Sequence, residues 1–405
     1  MGFWGWLLRR RASADHGRAV HAVGAVDEAM ASGDHDLALE LCHAALVDGL
    51  TDPGLLRVTA RVLLIRGEGR VAELFARAAD VPGDPDRMAE LGSALVTAGA
   101  PRAAAVVLDR ALAAAPFDAV IRSELAIAQS RAGQPGRAVQ TLALHPCLAD
   151  DAGAIFQFAW ASLLTGDLRS AATAGEQLRK HRSAPTLVRK LESALARAAI
   201  PFSASPPDAR DFLFLEHGSV LLDLAPLHGG SHVEIAPDGP LVASLVSRAA
   251  QVLRGLAPKL EHVAWLDEAA RPAAEELALT LGSEAEAWRT DGTFRGVLVA
   301  TRAMDLVSLD RRPASGLVTL ALSLEWGAGT PPVPDLVGLL ARRVTWPSGP
   351  VGLGSSAAQE DPELAAFVHG RLAVLPPNVL RVASAFVPDA PLPWPWGGTL
   401  RSPDP

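Results

Sequence analysis

The chain has 405 residues, 49% of them apolar and 20% charged, which is too long for one ordinary core and enough for two or three globular domains. Its net charge of −8 argues against a general nucleic-acid binder, because phosphate affinity needs clustered cations. Cys42 and Cys147 lie far apart, too few for a disulfide framework or a Cys-rich zinc site, and point to a reducing compartment; a cytoplasmic protein of bacterial type is the expectation for the chain as a whole. No apolar run approaches the roughly 20 residues that cross a bilayer.

Residues 1–15 open with MGFWGWLLRRR. The apolar stretch precedes the arginines, the reverse of a secretory signal, and Trp6 stands where a myristoylation motif wants Ser or Thr. Phe3, Trp4, Trp6, Leu7 and Leu8, followed by Arg9, Arg10 and Arg11, could sit in a membrane interface. The expectation preferred to that is a short helix covering the open end of the first hairpin, because repeat arrays need capping.

Residues 16–200 repeat. Gly33, Gly67, Gly99, Gly133 and Gly166 are each followed five residues later by Ala38, Ala72, Ala104, Ala138 and Ala171, in steps of 34, 32, 34 and 33 residues. The clearest copy, Pro85 to Pro116, places Leu91 and Gly92 in a first helix, Gly99 at a turn, and Ala104, Leu108, Ala111 and Leu112 in a second helix closed by Pro116. Gly92 and Ala104 are small where two helices must cross closely. Gly99 supplies a positive φ at a helix end, and Pro116 cannot continue the helix. The other copies are more divergent; His145, for example, stands where the fourth wants Ala. A helix from Pro185 to Ala199 is expected to seal the stack.

This period and these positions resemble the tetratricopeptide (TPR) family. The resemblance implies an all-α solenoid of about five helical hairpins whose first helices line a concave, ligand-holding face. Carried onto this chain, that face comprises Asp27, Arg57, Arg61, Ser93, Thr97, Ser123, Ile127, Arg131, Phe156 and Trp160. Chaperone-binding members grip a C-terminal carboxylate with Lys and Asn at such positions, and neither is present here. What remains is a partly cationic, partly aromatic groove for a peptide or protein surface.

A Pro/Ser-rich break at 201–210 leads into a different pattern over 211–387, in which short apolar runs alternate with amphipathic helices. DFLFLEH and SVLLDLA are expected as paired strands, Pro240–Leu256 as a helix and His262–Leu266 as a buried strand. Arg271–Leu281 reads as a helix ended by Gly282. Gly296–Ala300 and Gly316–Leu324 read as strands, Val333–Val344 and Pro362–Ala373 as helices, and VLRVASAF as a late strand. Such alternation makes an α/β domain with a mostly parallel sheet covered on both faces. The tail 388–405, rich in Pro and Trp, is expected to be extended.

Ligands of parallel sheets sit beyond the carboxyl ends of the strands. There the chain offers Asp267 and Glu268 after one strand and Thr301 to Asp305 after another, with no Gly-rich phosphate loop. The order of elements is similar to a phosphoribosyltransferase-like domain. The acidic pair and Thr/Gly loop of that family are missing, which implies a catalytically inactive relative. No GxxxxGK[ST], GxSxG or HExxH occurs. His217, His228 and His232, with Glu216 and Asp223, are the nearest metal candidates, and LHGGSH reads first as a turn. The sequence thus assigns no catalytic, cofactor or metal residue. It describes a scaffold or adaptor with a non-catalytic α/β domain; the alternative is an enzyme recruited through its repeats.

Overall fold

The computed structural model describes residues 3–98, 100–145, 147–198, 209–223, 232–256, 260–289, 294, 296–308, 317–325, 333–347 and 353. They fall into two compact units, one reaching Ser162 and the other starting at Leu163.

The helices keep the predicted phase. First helices are α1 (Phe3–Ala31), α3 (Pro53–Ile65), α5 (Pro85–Thr97), α7 (Ala119–Arg131) and α9 (Ala152–Leu164). Second helices are α2 (His35–Val47), α4 (Gly69–Asp80), α6 (Pro101–Ala114), α8 (Pro135–Ala143) and α10 (Leu168–Leu178). Gly33, Gly67, Gly133 and Gly166 take φ of 79°, 83°, 74° and 79° between the two helices of a pair, as the spacing requires. After them Asp34 N–H donates to Ala29 O, Glu68 N–H to Leu63 O and Gln134 N–H to Gln129 O, closing the helix ends in Schellman fashion. Gly99 and Pro146 lie outside the described residues.

A second periodic signal starts the first helices. Asp52, Asp84, Asp118 and Asp151 precede α3, α5, α7 and α9 and accept from the backbone N–H of Gly54, Asp86, Ile121 and Gly153. Each satisfies an orphan donor and places negative charge at the positive end of the helix dipole. The close crossing inferred for the clearest repeat is real: a Cβ on Gly92 would stand 2.4 Å from Leu108 Cγ. One apolar core, from Val26 to Ala128, runs through the first three pairs and into α7, and Ala138 and Leu142 of α8 pack in a separate cluster with Ala126 and Ala161.

The second unit continues with α11 (Pro185–Ala198) and α12 (Ala209–His217). Its sheet follows: β1 (Val220–Leu221), β2 (His232–Ile235), α13 (Gly239–Leu256), β3 (His262–Trp265), α14 (Arg271–Leu281), β4 (Glu284–Ala287), β5 (Gly296–Arg302), a 3-10 turn (Ala303–Ser308), β6 (Leu317–Glu325) and β7 (Leu336–Val344). All pairings are parallel, in the order β1-β7-β6-β5-β3-β4. β1 and β2 both pair with β7, so they act as two parts of one edge strand interrupted by the chain between them. Helices α13 and α14 share a core with Val297, Val299, Leu320 and Leu322 on one face of the sheet. Leu298, Ala300 and Ala321, in the alternate register, are equally buried.

Two expectations are corrected. DFLFLEH forms helix α12, not a strand, so no hairpin joins it to SVLLDLA; β1 pairs with β7 instead. Leu213, Phe214, Leu215 and Glu216 are all buried, and a segment buried all round carries no period to read. The segment expected as a helix over Val333–Val344 is strand β7, held between β6 and the β1/β2 edge. Its apolar run Leu336–Ala341 is buried on both faces, and Gly338 lets it approach β6 so closely that a Cβ would meet Leu322 O at 2.3 Å. The expected helix at Pro362–Ala373 and the strand VLRVASAF lie outside the described residues.

Candidate functional site

The expected binding face is built on the first helices. Asp27 on α1 and Arg61 on α3 stand six residues before their turn glycines, at equivalent places in successive repeats, and their side chains meet at 3.2 Å while both stay exposed. That contact shows where this position points: along the row of first helices, toward solvent. Arg57, one turn earlier on α3, donates to Ala79 O at 3.3 Å and lies 3.6 Å from Asp80. The arginines there are thus paired with carboxylates, and the expected cationic character is largely neutralised.

The row is not uniform. Helix α1 adjoins α3, and α5 adjoins α7, whereas α3 and α5 share no substantial contact and α2 meets α6 directly. Arg110 on α6 seals that contact by donating to Gly49 O, just past α2, at 2.7 Å. On α5, Thr97 is exposed and donates to Ser93 O, and Ser93 is half-buried. On α7, Ser123, Ile127 and Arg131 are half-buried. Phe156 and Trp160 on α9 are the residues expected to supply the aromatic part of the groove. They stack with ring centroids 6.0 Å apart and are buried, at 7% and 6% exposure.

Ser123 meets His145 Nε2 at 3.1 Å, and the ring also contacts Ala119 O. Cys147 N–H donates to His145 Nδ1, so Nδ1 is the acceptor nitrogen and Nε2 carries the proton. This His cannot act as a base toward Ser123. It ties the start of α7 to the loop after α8, which explains its departure from the repeat pattern. Phe117, Val120 and Leu144, 86%, 71% and 73% exposed, stand at this same edge of the fourth pair. The sequence reading missed them, although Phe and Val directly around an N-capping Asp are a visible signal.

No family model matches the chain, and no curated protein matches it either. Among solved structures, a thermophilic TPR protein from Thermus thermophilus is similar at 21% identity with a TM-score of 0.27, over 45% of this chain and 98% of that one. Over residues 16–198 the chain itself shows consecutive helix pairs whose turn glycines recur every 32 to 34 residues.

In the sheet, counting from β3, the five strands β3 to β7 lie in the order 2-1-3-4-5 of doubly wound sheets, with the switch point between β3 and β5. Asp267, just past β3, accepts from Thr301 N–H at 2.9 Å and from the Thr301 hydroxyl, and it caps Ala270 N–H at 3.0 Å. The crevice is therefore bridged by its own side chains. Ser323 donates to Thr301 O and accepts from Trp346 Nε1, extending the network across β6. Burial pushes the Asp305 carboxyl up, with repulsion from Asp267 adding to it, against the Arg302 N–H that it accepts.

The other concentration of charge is at α11 and α12. Arg197, 1% exposed, donates to Leu215 O at 2.9 Å and to Glu216 O at 3.2 Å. It thereby caps the carbonyls that end α12. Burial lowers its guanidinium to about 10, partly offset by Glu216. Lys190 pairs with Glu216. Burial lowers His217 to about 4, with the Glu216 carboxylate opposing that shift. Among the described residues no group of three or more His, Cys, Asp or Glu is placed to hold a metal, and His228 lies outside them. Cys42 is buried, and that burial pushes its thiol up, as suits a packing residue.

Proposed function

We propose that the protein is a cytoplasmic adaptor of bacterial type whose repeat unit holds a peptide or protein surface along its row of first helices, beside a non-catalytic α/β unit. The contact of Asp27 with Arg61 carries this reading. Equivalent repeat positions on adjacent first helices face the same way and remain exposed, the arrangement a repeat scaffold uses to present a surface. The neutralised arginines favour a partner recognised by shape and neutral polar contacts over a polyanion. The engagement of Asp267 with Thr301 and Ala270 supports a structural role for the crevice.

The test is affinity capture with the full chain against the double variant Arg61→Glu, Thr97→Arg. Both side chains are exposed, so the fold is expected to survive. The reading expects proteins retained by the parent to be lost by the variant, with thermal unfolding unchanged. Identical capture by both would place binding away from the first helices.

A further inference from the structure

We propose that the first two turns of α1 dock the protein on an anionic lipid surface. Helix α1 has 29 residues and its partner α2 has 13. His16 Nδ1 lies 3.2 Å from Asp52 Oδ2, the N-cap of α3, so α3 begins level with residue 16. Ala19 is the first described side chain of α1 to be buried. Residues 3–15 therefore carry the helix about 20 Å past the start of α3, at about 1.5 Å per residue. The segment expected as a short helix of its own is instead continuous with the first repeat helix.

This overshoot carries Phe3, Trp4, Trp6, Leu7 and Leu8 and then Arg9, Arg10 and Arg11. A helix lying flat in an interface needs one apolar face. Consecutive helical positions are about 100° apart, so the three arginine positions ring the axis rather than share a face. That pattern suits steep entry. Residues 3–8 span about 9 Å of helix, which matches the roughly 5–10 Å depth of the headgroup–acyl boundary. The arginine ring then falls at the phosphates, and Trp is the residue type enriched at that boundary. The chain as a whole is acidic, at −8, so this basic cluster supplies a local attraction that the remaining surface would oppose. No helix among the described residues is long and apolar enough to cross a membrane, so α1 would lodge at the surface.

Vesicle sedimentation of the full chain tests this, using phosphatidylcholine with and without phosphatidylglycerol. The expected result is binding that requires the anionic lipid. The triple variant Arg9→Gln, Arg10→Gln, Arg11→Gln should weaken it on the order of a hundredfold. Trp4→Ser with Trp6→Ser should abolish it, with thermal unfolding unchanged in both. Equal binding to neutral vesicles, or equal binding by parent and variants, overturns the proposal. So does a parent that binds neither vesicle but whose oligomeric state in gel filtration changes with the Trp substitutions, since the segment would then pack on protein. None of these outcomes depends on the first-helix row.

Discussion

Arg197→Met should destabilise the second unit more than any surface change. The methionine can fill much of the volume, but it cannot donate to Leu215 O or Glu216 O, both now at a buried helix end. A buried acceptor left unsatisfied costs about 1–3 kcal/mol. Two such carbonyls, with Glu216 losing a neighbouring positive charge, bring the loss to about 3–5 kcal/mol, the range for breaking a buried charged pair. In a unit of this size that lowers the melting temperature by roughly 10 °C. Differential scanning calorimetry should show the transition of the second unit moving while the repeat transition stays. Arg197→Lys, which keeps the charge but not the planar fork, should fall between the two. A loss below about 1 kcal/mol for Arg197→Met would refute the capping argument.

Three further outcomes follow from the packing and the charges. Gly92→Ala places a methyl 2.4 Å from Leu108 Cγ and should cost about 1–3 kcal/mol, read as a lower urea midpoint for the repeat unit. Gly338→Ala meets a backbone oxygen, which cannot swing aside as a side chain can, and should cost at least as much, read as a lower melting temperature of the sheet unit. His217 is held neutral, with its folded value lowered to about 4 from 6.5. Its contribution is therefore fully present above pH 6.5 and is lost as pH falls toward 4, by about 3 kcal/mol in total. Chemical denaturation between those pH values should be flatter for His217→Gln than for the parent, and parallel curves would contradict the assignment.

The solenoid was legible because its joints are made by single residues with few substitutes. A positive φ needs Gly, and a close helix crossing needs Gly or Ala, so Gly33, Gly67, Gly133 and Gly166, and Gly92, mark the architecture directly. The capping aspartates at 52, 84, 118 and 151 keep the same step and were equally readable. The contents of the binding face were not. Whether Phe156 and Trp160 are open or covered, and whether Arg57 and Arg61 are free or paired, depends on residues distant in sequence. In the sheet, β3, β5 and β6 and helices α13 and α14 were readable from length and periodicity. β7 and α12 were not, because segments buried on all sides look alike as strand or helix, and their neighbours decide.

Hydrogen exchange of the full chain, with and without a captured protein, tests the central claim most directly. The account predicts new protection concentrated on α3, α5 and α7, where Arg61, Thr97 and Ile127 stand, with α2, α4 and the sheet unchanged. Protection confined to the carboxyl edge of β3 and β5, or to the second helices, would contradict it.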